Sequence, residues 1–210
     1  MINHKRKCLF IHVPKVAGQS IESFFLDDQG LTWEQRAPLL LRPNNDPTLG
    51  PPRLAHLALV EYLTCGHISK ELFDSYFKFA FVRNPWDRAV SLYHYITDGR
   101  YSFNEFTRRH LTNSESPLKY FTKPQSHYIF DPYNRVKVDF IGRFENLEAD
   151  FACIKAKLGM EDMPLRHVNK SNTRAHSRQS RSYRDEYDLE SREIISSLFK
   201  IDIEAFGYEF

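Results

Sequence analysis

"CLFIHVPKVAGQSIESFF", Cys8 to Phe25, is the stretch on which the reading of the whole chain turns. Leu9, Ile11 and Val13 alternate with Phe10 and His12, which is the periodicity of a strand. The stretch ends as a helix. Between them, Pro14-Lys15-Val16-Ala17-Gly18-Gln19-Ser20 forms a short loop. A strand, a small-residue loop and a helix together make a phosphate cradle, because the first amides of a helix point outward with partial positive charge. Gly18 is expected to take backbone angles that other residues avoid and to let a ligand approach the chain. Lys15 adds a full charge and Ser20 a hydroxyl donor. The Gly-Lys-Ser/Thr signature of nucleoside triphosphatases is absent. Spacing alone does not separate this loop from an ordinary turn between strand and helix.

A second unit of the same kind follows. In "YFKFAFVRNPWDRAVSLYHYI", Phe77 to Val82 is apolar and β-prone, as a strand buried on both faces requires. Asn84-Pro85 reads as a helix start, with Asn as cap, Pro in the first turn and Asp87 favouring the N-terminus. Arg83 ends the strand or opens the loop. Asn84, Arg88, Ser91 and Tyr95 fall at helical spacing and predict one polar stripe. Arg83 and Ser91 are placed to reach one bound phosphate, for which the planar guanidinium fork is suited. A solvated helix face with Arg88 paired to an acid is the plain alternative. Two such units, each ending a strand with a cation, suggest a ligand with two separated anionic ends.

"VDFIGRF", Val138 to Phe144, predicts a third strand. "ENLEADFACIKAKLG" follows it as a helix with Leu147, Phe151, Ile154 and Leu158 on one face. Helices are also predicted from about Ala55 to Thr64, around Ser69 to Ser75, and from Asp185 to about Lys200. Arg42 to Arg53 reads as a mobile loop, and residues 101 to 135 as short helices and loops. Strands that alternate with helices imply α/β architecture, a central parallel sheet with helices on both faces. Ligands bind such sheets at the carboxyl ends of their strands.

The chain has 210 residues, which suits a single domain, 1–210. Its 14% aromatic content excludes a disordered chain, and its net charge of +2 means that any anion site comes from local placement. Three scattered cysteines, Cys8, Cys65 and Cys153, make neither a disulfide framework nor a zinc site. Cys153, Trp33 and Trp86 are assigned to the core, and a reducing, cytoplasmic setting is expected. The sequence shows no signal peptide, and no segment approaches the roughly 20 apolar residues of a membrane span.

"PKVAGQS" resembles the 5′-phosphosulfate loop of sulfotransferases, and "RNPWDRAVS" their 3′-phosphate motif. "FIGRFENLEADF" and "DIEAFGYEF" resemble the carbohydrate-type branch, the heparan and chondroitin enzymes and their bacterial relatives. The resemblance implies a three-layer α/β/α, P-loop NTPase-like sulfotransferase fold. It implies 3′-phosphoadenosine 5′-phosphosulfate as donor, bound without metal. Lys15, Val16, Ala17, Gly18, Gln19 and Ser20 would surround its 5′ end, and Arg83 and Ser91 its 3′-phosphate.

Sulfuryl transfer needs in-line alignment and neutralisation of growing charge. Lys15 is assigned to the leaving oxygen. His56 is the candidate base, since similar sequences carry a His there and an imidazole suits proton removal near neutrality. Glu61 is the second candidate; His12 is expected to pack in the sheet and His67 to lie in a turn. Six Lys or Arg fall between Arg166 and Arg184. Lys170 and Arg174 among them predict a lid over the donor's phosphates, against the alternative of a solvated loop. Gln125 and Ser126 are weaker candidates, for the acceptor. The acceptor is expected to be a saccharide hydroxyl, and nucleic acid is not an expected partner. The rival readings are a P-loop-like small-molecule kinase and a nucleotide-binding protein without catalysis.

Overall fold

The computed structural model describes residues 1–97, 100–112, 122–133, 135, 137–166 and 182–210. The chain divides into two compact units, Met1–Val82 with His127–Lys170, and Arg83–Ser126 with Ser171–Phe210.

The first unit is built on a four-stranded sheet in the order β1 (Ile2–Asn3), β2 (Cys8–Ile11), β3 (Phe77–Val82), β4 (Phe140–Arg143). β1 pairs antiparallel with β2; β2–β3 and β3–β4 are parallel, with Cys8 opposite Phe77 and Phe79 opposite Phe140. The three predicted strands are therefore present and adjacent, with a short antiparallel edge added. Helices α1 (Gly18–Asp28), α2 (Glu61–Thr64), α3 (Lys70–Ser75) and, after β4, α7 (Leu147–Leu158) complete the unit. Phe10 stacks on Phe79 across neighbouring strands at 5.2 Å. Phe151 of α7 meets Phe24 of α1 edge-on at 4.9 Å. Each such buried ring contributes about 1.5–3 kcal/mol. Gly142 makes room for Phe81, whose ring would lie 2.4 Å from an added Cβ.

The second unit centres on α4 (Pro85–Ile96). Its Asn84 cap accepts N–H bonds from Trp86 and Asp87, as the sequence predicts. The Asn84 amide donates to the carbonyl of Glu209 at 2.9 Å. Trp86, Val90, Leu92 and Tyr93 are buried. The unit also contains α5 (Phe103–Phe106), a π-helical turn Thr107–Leu111, α8 (Leu189–Leu198) and α9 (Lys200–Phe206). Helix α6 (Gln125–Ile129) begins within the second unit's first segment.

Several expectations are corrected. The predicted helix from Ala55 to Thr64 is broken into a 3-10 turn, Leu54–His56, and α2. The helix predicted from Asp185 to about Lys200 begins only at Leu189, as α8, after a 3-10 turn at Tyr183–Glu186, and a further helix, α9, follows it from Lys200. The stretch 42–53 is organised by a Pro43–Arg53 bridge, a 3-10 turn at Pro47–Leu49 and Asn44 bonds to the carbonyls of Asp46 and Gly50. Cys153 is exposed, on the face of α7 opposite Phe151 and Ile154. Trp33 is 38% exposed and stacks under the Arg36 guanidinium, so it is not core.

Candidate functional site

The loop after β2 carries its conformational burden on unexpected residues. Lys15 and Ala17 are left-handed, at φ 73° and 64°, and Gly18 is not. Val16 between them has ordinary hand. Alternating hand along a loop is the backbone pattern from which anion-binding concavities are built. Ala17 caps α1 without a side-chain bond, and its carbonyl accepts from the Ser20 N–H at 3.0 Å. Lys15 is half-buried, Gln19 exposed, and Val16, Gly18 and Ser20 buried. Gly18 is needed for a different reason from the one expected. The His12 ring lies against its Cα, and an added Cβ would sit 1.9 Å from Nε2.

His12 connects three parts of this region. Its Nδ1 is 2.6 Å from Oε1 of Glu22 on α1, and both side chains are buried. Facing a carboxylate, Nδ1 carries the hydrogen. The His12 carbonyl accepts a 3.0 Å bond from Nδ1 of His56, and the two rings lie 4.3 Å apart. His56 is thus brought to the Lys15–Ser20 loop through His12. Burial, and then the neighbouring His12, push its pKa down to about 3, with Arg53 adding to the same trend. The ring is neutral at ordinary pH. Its Nδ1–H is committed to a carbonyl, so Nε2 is the basic nitrogen. Glu61 accepts the Ala58 N–H at 2.6 Å. His67 binds the Leu49 carbonyl through Nε2, as a turn residue.

In the second unit, Arg83 follows β3 directly. Its Nε donates to Oδ2 of Asp87 at 2.8 Å. Asp87 and Ser91 are four apart on α4 and share a face. The stripe is therefore Arg83, Asp87 and Ser91, with Ser91 half-buried. Arg88 is not part of a polar stripe. It is 3% exposed, donates to the Lys123 carbonyl and lies over the Phe199 ring. Gln125 and Ser126 are also buried, and their N–H groups donate to Asp202. No sequence signal marked Glu22 or Asp202, because their partners are fixed by tertiary packing. Lys170 and Arg174 lie outside the described residues.

The model of the sulfotransferase family matches residues 1–209. The chain belongs to the sulfotransferase family. Membership makes it a transferase that uses 3′-phosphoadenosine 5′-phosphosulfate as donor and a hydroxyl-bearing acceptor. A relative in Archaeoglobus fulgidus, described as an uncharacterized protein, is 36% identical over 104 residues, 47% of this sulfotransferase and 82% of the relative. No solved structure matches the chain. Among its described residues, no helix is long and apolar enough to cross a membrane.

Proposed function

We propose that this sulfotransferase moves the sulfuryl group of 3′-phosphoadenosine 5′-phosphosulfate to a saccharide hydroxyl, as a carbohydrate-type member with the three-layer, P-loop NTPase-like fold. The 210 residues act as one catalytic domain. The observation that supports the donor assignment best is the loop itself. Two non-glycine residues, Lys15 and Ala17, are held left-handed side by side with an ordinary residue. Each such outlier costs on the order of 1–3 kcal/mol and persists where the strain serves a site. The donor set is cationic and amide-rich, which suits a 5′-phosphosulfate.

In this reading Val16, Ala17, Gly18, Gln19 and Ser20 bind the 5′ end. Lys15 neutralises charge on the oxygen that leaves sulfur. Arg83 and Ser91 bind the 3′-phosphate, while Asp87 holds the guanidinium at Nε. Lys170 and Arg174 contribute cations to the donor's phosphates. His56 takes the acceptor proton at Nε2 while the His12 carbonyl holds Nδ1–H in place. A base held down to about 3 is weak by itself. The donor's negative charge favours the imidazolium and raises its proton affinity when the reaction partners are assembled. Glu61 is the second candidate for this proton. No metal enters the scheme, and the cytoplasm is the proposed compartment.

Calorimetric titration with 3′-phosphoadenosine 5′-phosphate, against magnesium-ATP, tests the reading. Tight binding of the bisphosphate that is lost in Arg83→Ala is the expected result. Binding of ATP alone would turn the assignment to a kinase.

A further inference from the structure

The ladder between β3 and β4 ends at the Val82–Arg143 pair. Arg83 lies one residue beyond β3, and the Gln125 side chain takes its backbone. Oε1 accepts the Arg83 N–H at 2.9 Å, and Nε2 donates to the Arg83 carbonyl at 2.7 Å. The two bonds close a ring, as a neighbouring strand would. Gln125 is itself fixed. Its N–H donates to Oδ2 of Asp202 at 2.6 Å, and that of Ser126 to Oδ1 at 2.8 Å. Asp202 is completely buried, as is Gln125. A buried carboxylate is costly unless its oxygens are bonded, and here both are bonded to the first turn of α6. The third hold on Arg83 is Asp87, which takes Nε and sets the plane of the fork.

Main chain and guanidinium are thus both located before any ligand arrives. Fixing a binding group in advance lowers the cost of association and sharpens discrimination. We propose that Gln125, seated by Asp202, is a positioning residue that determines specificity for the donor's 3′-phosphate by holding Arg83. This rests on the reading of Arg83 as the 3′-phosphate ligand.

The test titrates the full chain with 3′-phosphoadenosine 5′-phosphate and with adenosine 5′-monophosphate, which lacks the 3′ group. Gln125→Glu keeps an acceptor for the Arg83 N–H and removes the donor to its carbonyl. It should lose about tenfold or more in bisphosphate affinity, with monophosphate affinity within about twofold of the parent. Asp202→Asn should move the ratio in the same direction by less, and it carries the test if Gln125→Glu does not fold. In the unmutated protein, the Gln125 side-chain amide resonances should shift with the bisphosphate and not with the monophosphate. A preference for the bisphosphate that survives in folded Gln125→Glu overturns the positioning role and leaves Arg83 as the ligand. Equal loss of both nucleotides also overturns it, since that is the signature of general damage. A parent protein that binds both nucleotides alike overturns the reading of Arg83, and this inference with it.

Discussion

The His12 imidazole lies so close to Gly18 that a methyl group at that Cα would sit 1.9 Å from Nε2. His12 has no room to retreat, because Glu22 holds its other nitrogen at 2.6 Å in a buried pair. Gly18→Ala should therefore displace the ring or the loop. Overpacking of this kind costs about 1–3 kcal/mol. The expected outcome is a lower urea midpoint together with weakened binding of 3′-phosphoadenosine 5′-phosphate. Normal nucleotide binding by the alanine variant would show that the loop tolerates the shift.

His56 makes stability depend on pH. Its folded pKa, about 3, lies below the ordinary 6.5 because burial and His12 penalise the imidazolium. The unfolded chain then binds more protons at that site between those values, so stability falls as pH drops from 6.5 toward 3. At pH 5 this one group removes about 2 kcal/mol relative to pH 7.5. Urea unfolding at the two pH values measures it. His56→Gln should flatten the dependence in this window, and an unchanged slope in the variant would assign the effect to other groups.

Arg83 and Arg88 are five residues apart and should respond in opposite ways to truncation. Arg88 is buried with its guanidinium on the Lys123 carbonyl and the Phe199 ring. Arg88→Ala should cost about 2–4 kcal/mol of stability through the lost packing and the carbonyl left behind. Arg83→Ala breaks a largely buried pair with Asp87 and should cost less stability than Arg88→Ala. Its loss should appear in bisphosphate binding. Thermal melts and titrations on the two variants separate the roles.

The thiols should also sort by environment. Cys8 is buried in β2, and burial pushes its pKa up to about 12. Cys153 is exposed on α7. Iodoacetamide at neutral pH should alkylate Cys153 in the folded protein and reach Cys8 only after denaturation, as peptide mass mapping would show.

The strands at Cys8–Ile11 and Phe77–Val82 were legible because apolar β-prone runs report burial on two faces. The Asn84-Pro85 helix start was legible because capping is a local bond between neighbours. What the sequence hid was set at a distance. His56 reads as part of a helix from Ala55 to Thr64, yet its ring is drawn to the His12 carbonyl and the helix breaks. Helical spacing put Arg88 in a polar stripe, and the long side chain instead turned inward to a carbonyl 35 residues away. Gln125 meets Arg83 across 42 positions and Asp202 across 77, and no spacing rule reaches that far. Even Gly18 was chosen for its neighbour, the His12 ring, and not for its own backbone.

The order of the sheet has a consequence for the making of the protein. β2 pairs with β3 and β3 with β4 between residues 69 and 61 positions apart, so large loops must close before either ladder forms. On a ribosome, residues 8–11 emerge before Phe77–Ala80 and wait for them to supply a parallel partner. The sheet is complete only when Arg143 has followed. The loop at Lys15 to Ser20 is therefore translated before the parallel partner of the strand that leads into it.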